Sequence, residues 1–104
     1  MSLPDDTVVR LVLDGARTVA TSDETLQSLR DLARQGQSIE IDCTALTAVD
    51  LSFIQLLLSG YRSVSAAGQT FRVRARTGGP LEIALASGGF HDMPDVNASI
   101  AFSA

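Results

Sequence analysis

The sequence of 104 residues is poor in residue types that build disulfide or metal-bound scaffolds, because it has one cysteine and one histidine. A single cysteine, Cys43, cannot form a disulfide within the chain or a zinc site made of several thiolates. We expect Cys43 to be a small buried hydrophobic residue in a reducing compartment. Aromatic residues make up 5% of the sequence, so aliphatic side chains must fill most of the core.

The sequence also lacks an excess of positive charge and a long hydrophobic run. Its formal net charge of −4 argues against general nucleic-acid affinity, which depends on Lys and Arg that neutralise phosphates. The longest segment without a charged residue, Leu51–Tyr61, is shorter than the roughly 20 residues of a membrane-spanning helix. The first six residues lack the basic and apolar regions of a signal peptide. We expect a cytoplasmic protein with no nucleic-acid partner and no direct membrane insertion.

The residues that are present predict a single domain over residues 1–104, because 45% of them are hydrophobic and 19% are charged. Val8–Leu13 is aliphatic and β-branched and runs into the turn-forming pair Asp14-Gly15. This pattern predicts a strand followed by a tight turn. We also expect a short second strand over Arg17–Ala20.

A helix and a third strand are predicted next. Thr21 and Glu24 fit a capping box and Gly36 fits a helix end, so we expect a helix from about 22 to 35. Ile39–Cys43 alternates between apolar and acidic residues, which is typical of a half-buried strand. A short polar loop then leads to the next helix.

The most continuous apolar segment predicts a central helix that begins at Asp50, a preferred capping residue. At 100° per residue, Phe53 lies on the apolar face, whereas Ser52 and Gln55 lie on the wet face. Leu51 projects between the apolar face and the serine. We therefore expect an exposed serine beside an apolar contact.

The remaining elements are a strand and a short helix. Thr70–Arg76 alternates, which directs Arg72, Arg74 and Arg76 outward. These arginines form a basic binding stripe or pair with the acidic residues of the preceding strand, and the pairing is the favoured alternative. Pro80 fits the first turn of a third helix that ends at Gly88-Gly89. We assign no structure to residues 90–104.

The sequence carries no complete catalytic constellation. Ser52 lacks a neighbouring base, since the single histidine, His91, is 39 residues further along the chain and no Gly-x-Ser-x-Gly elbow is present. His91 with Asp92 and Asp95 is a weak metal pattern, and Gly78-Gly79 lacks the remaining residues of a phosphate-binding loop. We expect no enzyme activity, no metal and no cofactor.

Ser52 can instead serve as a phosphoacceptor. A phosphoryl group at a helix N-terminus is tolerated by the helix dipole and the free amides of the first turn. A partner that packs on Leu51 and the serine would lose affinity, because the dianion would be desolvated against an apolar surface. From these residues alone, the favoured alternative is a serine that only helps to begin a helix.

The segment Ile39–Leu57 resembles the signature of the STAS domain, the module of anti-sigma-factor antagonists. Asp42 and Thr44 match the Asp-x-Ser or Asp-x-Thr that ends the family's strand. Asp50 and Ser52 match the first and third positions of its Asp-Ser-Ser-Gly motif. Gly15–Thr21 also resembles the family's first βα connection, and the similarity covers residues 8–87.

The resemblance implies a small STAS-like α/β domain, with a mixed sheet of four or five strands and three or four helices. It implies that a serine kinase that doubles as an anti-sigma factor, or another signalling protein, is the partner in transcription regulation in bacteria. The kinase would phosphorylate Ser52, and the unphosphorylated chain would bind the partner. The expected partner-binding residues are Thr18, Asp42, Thr44, Asp50, Leu51, Ser52 and Gln55. Leu51 and Phe53 stand where the family has a serine and a glycine, and Thr18 where an early aspartate is common. The alternative is an unphosphorylated STAS adaptor in a signalling or chemotaxis array, or a soluble subunit of a membrane transporter.

Overall fold

The computed structural model describes residues 8–88 and 99–103, which form four β-strands and three α-helices. The strands are β1 (Val8–Arg17), β2 (Ser38–Val49), β3 (Phe71–Arg76) and β4 (Ile100–Ser103). The helices are α1 (Ser22–Arg34), α2 (Leu51–Ala66) and α3 (Pro80–Ser87), with a 3₁₀ turn at Val19–Thr21 before α1. The predicted α/β fold class is confirmed.

The four strands form one sheet in the order β1-β2-β3-β4, and each neighbouring pair is parallel. Right-handed connections between consecutive neighbours place all three helices on the same face. The strict alternation of buried and exposed residues along β3 agrees, because one face of that strand is covered and the other is wet. The helix-free face, here called the open face, carries Arg10, Val12, Glu40, Asp42, Arg72 and Arg74.

The core lies between the sheet and the helices, with Phe53 of α2 as the largest of its fully buried side chains. Gly60 lets α2 approach β3, since a Cβ atom there would lie 3.1 Å from the ring of Phe71. The same ring meets Tyr61 edge to face, with the ring centroids 6.3 Å apart. Cys43 is buried as predicted, and its burial raises the pKa of the thiol to about 12.

The first two strands are longer than predicted. Asp14-Gly15 makes no turn and Arg17–Ala20 is not a separate strand, because β1 continues through Gly15, at a φ of 68°, as far as Arg17. β2 likewise runs past Cys43 to Val49, where a polar loop was predicted. The two extensions pair with each other, and Arg17 lies opposite Val49. The sheet of the described residues is therefore parallel throughout rather than mixed.

The helix starts confirm one predicted cap and correct another. Asp50 caps α2 as predicted. The capping box of Thr21 and Glu24 does not form; instead the Thr21 hydroxyl accepts a hydrogen bond from the Thr18 amide at 3.0 Å and caps the 3₁₀ turn. Helix α1 nevertheless covers the predicted segment.

One of the three outward arginines of β3 pairs with an acidic residue of the neighbouring strand, as the favoured alternative predicts. Arg74 Nε lies 4.0 Å from Glu40, whose carboxylate also meets Arg10 at 2.7 Å. Within residues 8–88 and 99–103, Arg72 and Arg76 have no ion pair. No helix in this part of the chain combines the length and apolarity needed to cross a membrane.

Candidate functional site

The carboxylate of Asp50 joins two elements that are far apart in sequence. Asp50 has an extended backbone, and its Oδ1 accepts a hydrogen bond from the Phe53 amide at 3.3 Å. Its Oδ2 accepts from the Val19 amide at 2.9 Å. One side chain thus caps α2 and holds the 3₁₀ turn against the helix start. We call Thr18, Val19, Asp50, Leu51 and Ser52 the α2 entry.

Thr18 is half-buried and its hydrogen bonds lie within the turn. Its hydroxyl accepts from the Ala20 amide at 3.3 Å, and its amide donates to the Thr21 hydroxyl. These bonds shape the turn that Asp50 holds. Neighbouring Val19, which the sequence patterns did not single out, is 68% exposed.

The first turn of α2 presents Leu51, Ser52 and Gln55. Leu51 is 55% exposed although it is apolar. Ser52 is half-buried, so it is less accessible than the predicted wet face implied. Gln55 is exposed. Within residues 8–88 and 99–103 the Ser52 hydroxyl has no hydrogen-bond partner, which leaves its oxygen available for other chemistry.

Leu51 also lines an apolar groove between α2 and α3. The groove has a volume of about 830 Å³, and its walls include Ile54, Pro80, Ile83 and Ala84. Ile83 is 59% exposed. Sequence reasoning missed this residue, although a signal existed: Leu81 and Leu85 form the buried face of α3, and an isoleucine between them gives that helix an additional apolar face.

Asp42 and Thr44 form a second, separate group. The Thr44 hydroxyl donates to Asp42 Oδ1 at 2.6 Å, and the Thr44 amide donates to the same oxygen at 2.9 Å. These two bonds, the hydroxyl first, hold the pKa of Asp42 below its ordinary value. Asp42 lies on the open face in the middle of β2, and no described contact joins it to Ser52. Asp42 and Thr44 therefore lie apart from the α2 entry, which follows the ends of β1 and β2.

Thr44→Val is expected to raise the pKa of Asp42 towards its ordinary value. The valine removes the hydroxyl bond but keeps the amide bond. A carboxylate with a lowered folded pKa contributes stability above its unfolded pKa and loses it as the pH falls through the folded value. The variant should therefore lose part of this contribution at neutral pH, without a change in the core.

The measurement is an NMR titration of the Asp42 carboxyl group in both proteins. Thr47→Val, at an exposed position of the same strand, is the control and should leave the titration unchanged. If the pKa of Asp42 is the same in Thr44→Val, the Thr44 hydroxyl does not cause the lowered pKa.

No three His, Cys, Asp or Glu side chains are grouped to hold a metal ion within residues 8–88 and 99–103. His91, Asp92 and Asp95, the weak metal pattern, lie outside the described residues. The candidate site is a surface that combines the Ser52 hydroxyl, the helix-capping carboxylate of Asp50 and an apolar groove.

The family of the chain follows from a match over most of its length. A family model described as "Mlab, STAS domain" matches residues 4–93. The chain belongs to the STAS domain family. This confirms the resemblance that Asp42, Thr44, Asp50 and Ser52 indicate.

Solved structures share the fold at low sequence identity. The chain is similar to a candidate anti-sigma factor antagonist of Thermotoga maritima, with a TM-score of 0.74 and 13% identity, covering 98% of this chain and 82% of that one. It is also similar to a structure described as Mglu, with a TM-score of 0.57 and 22% identity, over 70% of this chain and 18% of that one. No curated protein sequence matches the chain.

Proposed function

We propose that this STAS domain is an anti-sigma-factor-antagonist-like regulator that binds a signalling protein at the α2 entry and is switched by phosphorylation of Ser52. The observation that carries this proposal is the exposed Leu51 immediately before Ser52, at a helix start that Asp50 holds in place. The partner is a serine kinase or anti-sigma factor. The chain itself is not an enzyme and acts in the cytoplasm as a single domain.

Binding draws on the groove between Leu51 and Ile83. Both side chains are more than half exposed, so an apolar side chain of the partner gains free energy by removing them from water, at about 25 cal/mol per Å². The exposed side chain of Gln55 supplies a polar contact at the rim. Asp50 keeps the 3₁₀ turn and the helix start in one arrangement, which reduces the entropy that binding must remove.

Phosphorylation opposes this binding electrostatically. A phosphoryl group on Ser52 carries nearly two negative charges and stands two residues after the Asp50 carboxylate. The bonds of Asp50 to Phe53 and Val19 already use two amides that would otherwise bind an anion. A docked partner would strip water from this dianion, and a penalty of about 2.8 kcal/mol weakens affinity a hundredfold.

The test compares Ser52→Ala and Ser52→Asp for affinity to the partner, which is first captured from native cells with the unaltered chain and then purified. Alanine should retain affinity, whereas aspartate should reduce it about tenfold or more. Ser59→Asp, at an exposed position two turns further along α2, is the control and should bind normally. Equal affinities for Ser52→Ala and Ser52→Asp would contradict the switch.

A second function is favoured by one feature of the site. Leu51 occupies the position of the motif's first serine, and an apolar residue there enlarges the contact beside the half-buried Ser52. Such a surface suits an unphosphorylated adaptor, either in a signalling array or as a soluble subunit of a membrane transporter. Unmodified Ser52 and co-purification with a membrane ATPase would favour this second function.

A further inference from the structure

Strand β1 lies at one edge of the sheet, and no strand pairs with its outer side within residues 8–88 and 99–103. It is 10 residues long. Free N–H and C=O groups of a long edge strand are a template for pairing with another chain, and proteins usually protect such edges. Here the strand also exposes apolar side chains, since Val8 and Val12 are 50% and 59% exposed. Among the residues that the structure describes, this edge is therefore open to pairing.

The charges of β1 select one register for pairing with a second copy. Arg10 and Asp14 lie two residues on either side of Val12, and all three are exposed. An antiparallel pair of two β1 strands centred on Val12 places Arg10 of each copy opposite Asp14 of the other. Opposite charges at directly facing positions stabilise a sheet. This arrangement forms two such pairs and one Val12–Val12 contact.

Other registers lack this match. A pair centred on Arg10 or on Asp14 brings like charges face to face, which is destabilising. A pair centred on Leu11 or Leu13 sets a charged side chain against Val12. Among these registers, only the one centred on Val12 places each charged side chain opposite a side chain of opposite charge.

Both charged groups have capacity for a second contact. Arg10 meets Glu40 through Nε and Nη2, each at 2.7 Å, and its side chain is 54% exposed. The Asp14 side chain is 81% exposed, with Arg17 Nη2 at 3.5 Å. The pairing of β1 with β2 shifts its register twice, and the extra residue lies in β2 each time. At the first shift, Val12 pairs with Asp42 and Asp14 pairs with Ala45. β1 thus stays extended until Gly15, which takes a φ of 68°.

We infer that this chain forms a two-fold dimer in which the β1 strands of two copies pair antiparallel around Val12 and join their sheets. The contact covers Arg10–Asp14. It leaves the groove between Leu51 and Ile83 of each copy uncovered. The dimer therefore presents two partner-binding sites, and its existence does not depend on the switch at Ser52.

The test uses charge reversal and mixing, with mass measured by analytical ultracentrifugation over a range of protein concentrations. The unaltered chain should dimerise. Asp14→Arg should weaken the dimer about tenfold or more, because it turns both attractive pairs into repulsive ones. Arg10→Glu should do the same. An equal mixture of the two variants should form a heterodimer. Arg10 of the Asp14→Arg variant then faces Asp14 of the Arg10→Glu variant, and the arginine introduced in one variant faces the glutamate introduced in the other.

Circular dichroism and thermal unfolding establish that each variant is folded. If Arg10→Glu does not fold without its Glu40 contact, Val12→Lys replaces it, because two lysines would then meet at the centre and dissociate the dimer. A chain that stays monomeric at all concentrations would overturn the inference. A dimer that survives Asp14→Arg, or folded variants that do not associate when mixed, would overturn it as well.

Discussion

Phe53→Ala is expected to lower the free energy of unfolding by about 3–5 kcal/mol, the usual cost of deleting a buried aromatic side chain. Phe53 is 1% exposed and is the largest of the fully buried side chains. Its loss leaves a cavity between α2 and the sheet that the surrounding aliphatic side chains cannot fill without strain. Urea unfolding followed by circular dichroism measures the change.

A residue in the same helical turn provides the control for this experiment. Leu51 is 55% exposed, so Leu51→Ala should change the free energy of unfolding by less than about 1 kcal/mol. If the two substitutions cost the same, the orientation of the first turn of α2 would be wrong. The expected difference would show that a phenylalanine in place of the family's glycine points inward and leaves Ser52 at the surface.

Leu51→Asp is expected to weaken binding of the partner about a hundredfold, which corresponds to about 2.8 kcal/mol. The substitution removes one apolar wall of the groove and places a carboxylate where the partner would exclude water. The fold should survive, because an acidic residue in the first turn of a helix interacts favourably with the helix dipole. Isothermal titration calorimetry with the purified partner measures the affinity.

Two further variants test whether the groove is the binding surface. Ile83→Asp alters the opposite wall and should also weaken binding. Val8→Asp changes an exposed valine at the start of β1, 50% exposed, and should bind normally. Loss of cooperative unfolding in Leu51→Asp would show that Leu51 belongs to the core, and normal affinity would exclude it from the interface.

Local signals predicted the central element well. Asp50 alone predicts the start of α2, because a carboxylate before an apolar run can accept hydrogen bonds from the free amides of the first turn. The burial of Phe53 and the exposure of Gln55 follow from helical periodicity alone. The alternation in β3 likewise predicts which residues face the core.

Contacts between distant segments were not predictable in this way. Asp14-Gly15 is a turn signal in isolation, yet β1 passes through it because β2 pairs with the continuation. The hydrogen bond from the Val19 amide to Asp50 joins residues 31 positions apart. No sequence pattern near either residue predicts it. The groove depends on the packing of α3 beside the start of α2, so Ile83 acquires its place only in the folded chain.

The candidate site was predictable only in part, for the same reason. Ser52, Leu51 and Asp50 are close in sequence and remain together in the structure. Asp42 and Thr44 match the family's motif, but the alternation of β2 places them on the open face. Their proximity in sequence to Ser52 does not translate into a shared surface.

The most direct measurement of the central proposal is the intact mass of the protein isolated from its native cells, together with identification of the proteins that accompany it. We predict a fraction of chains that carry one phosphoryl group on Ser52 and no partner, and an unmodified fraction that retains the partner. Ser52→Ala should keep the partner and Ser52→Asp should lose it. An unmodified chain that holds the same partner in all three forms would contradict the switch.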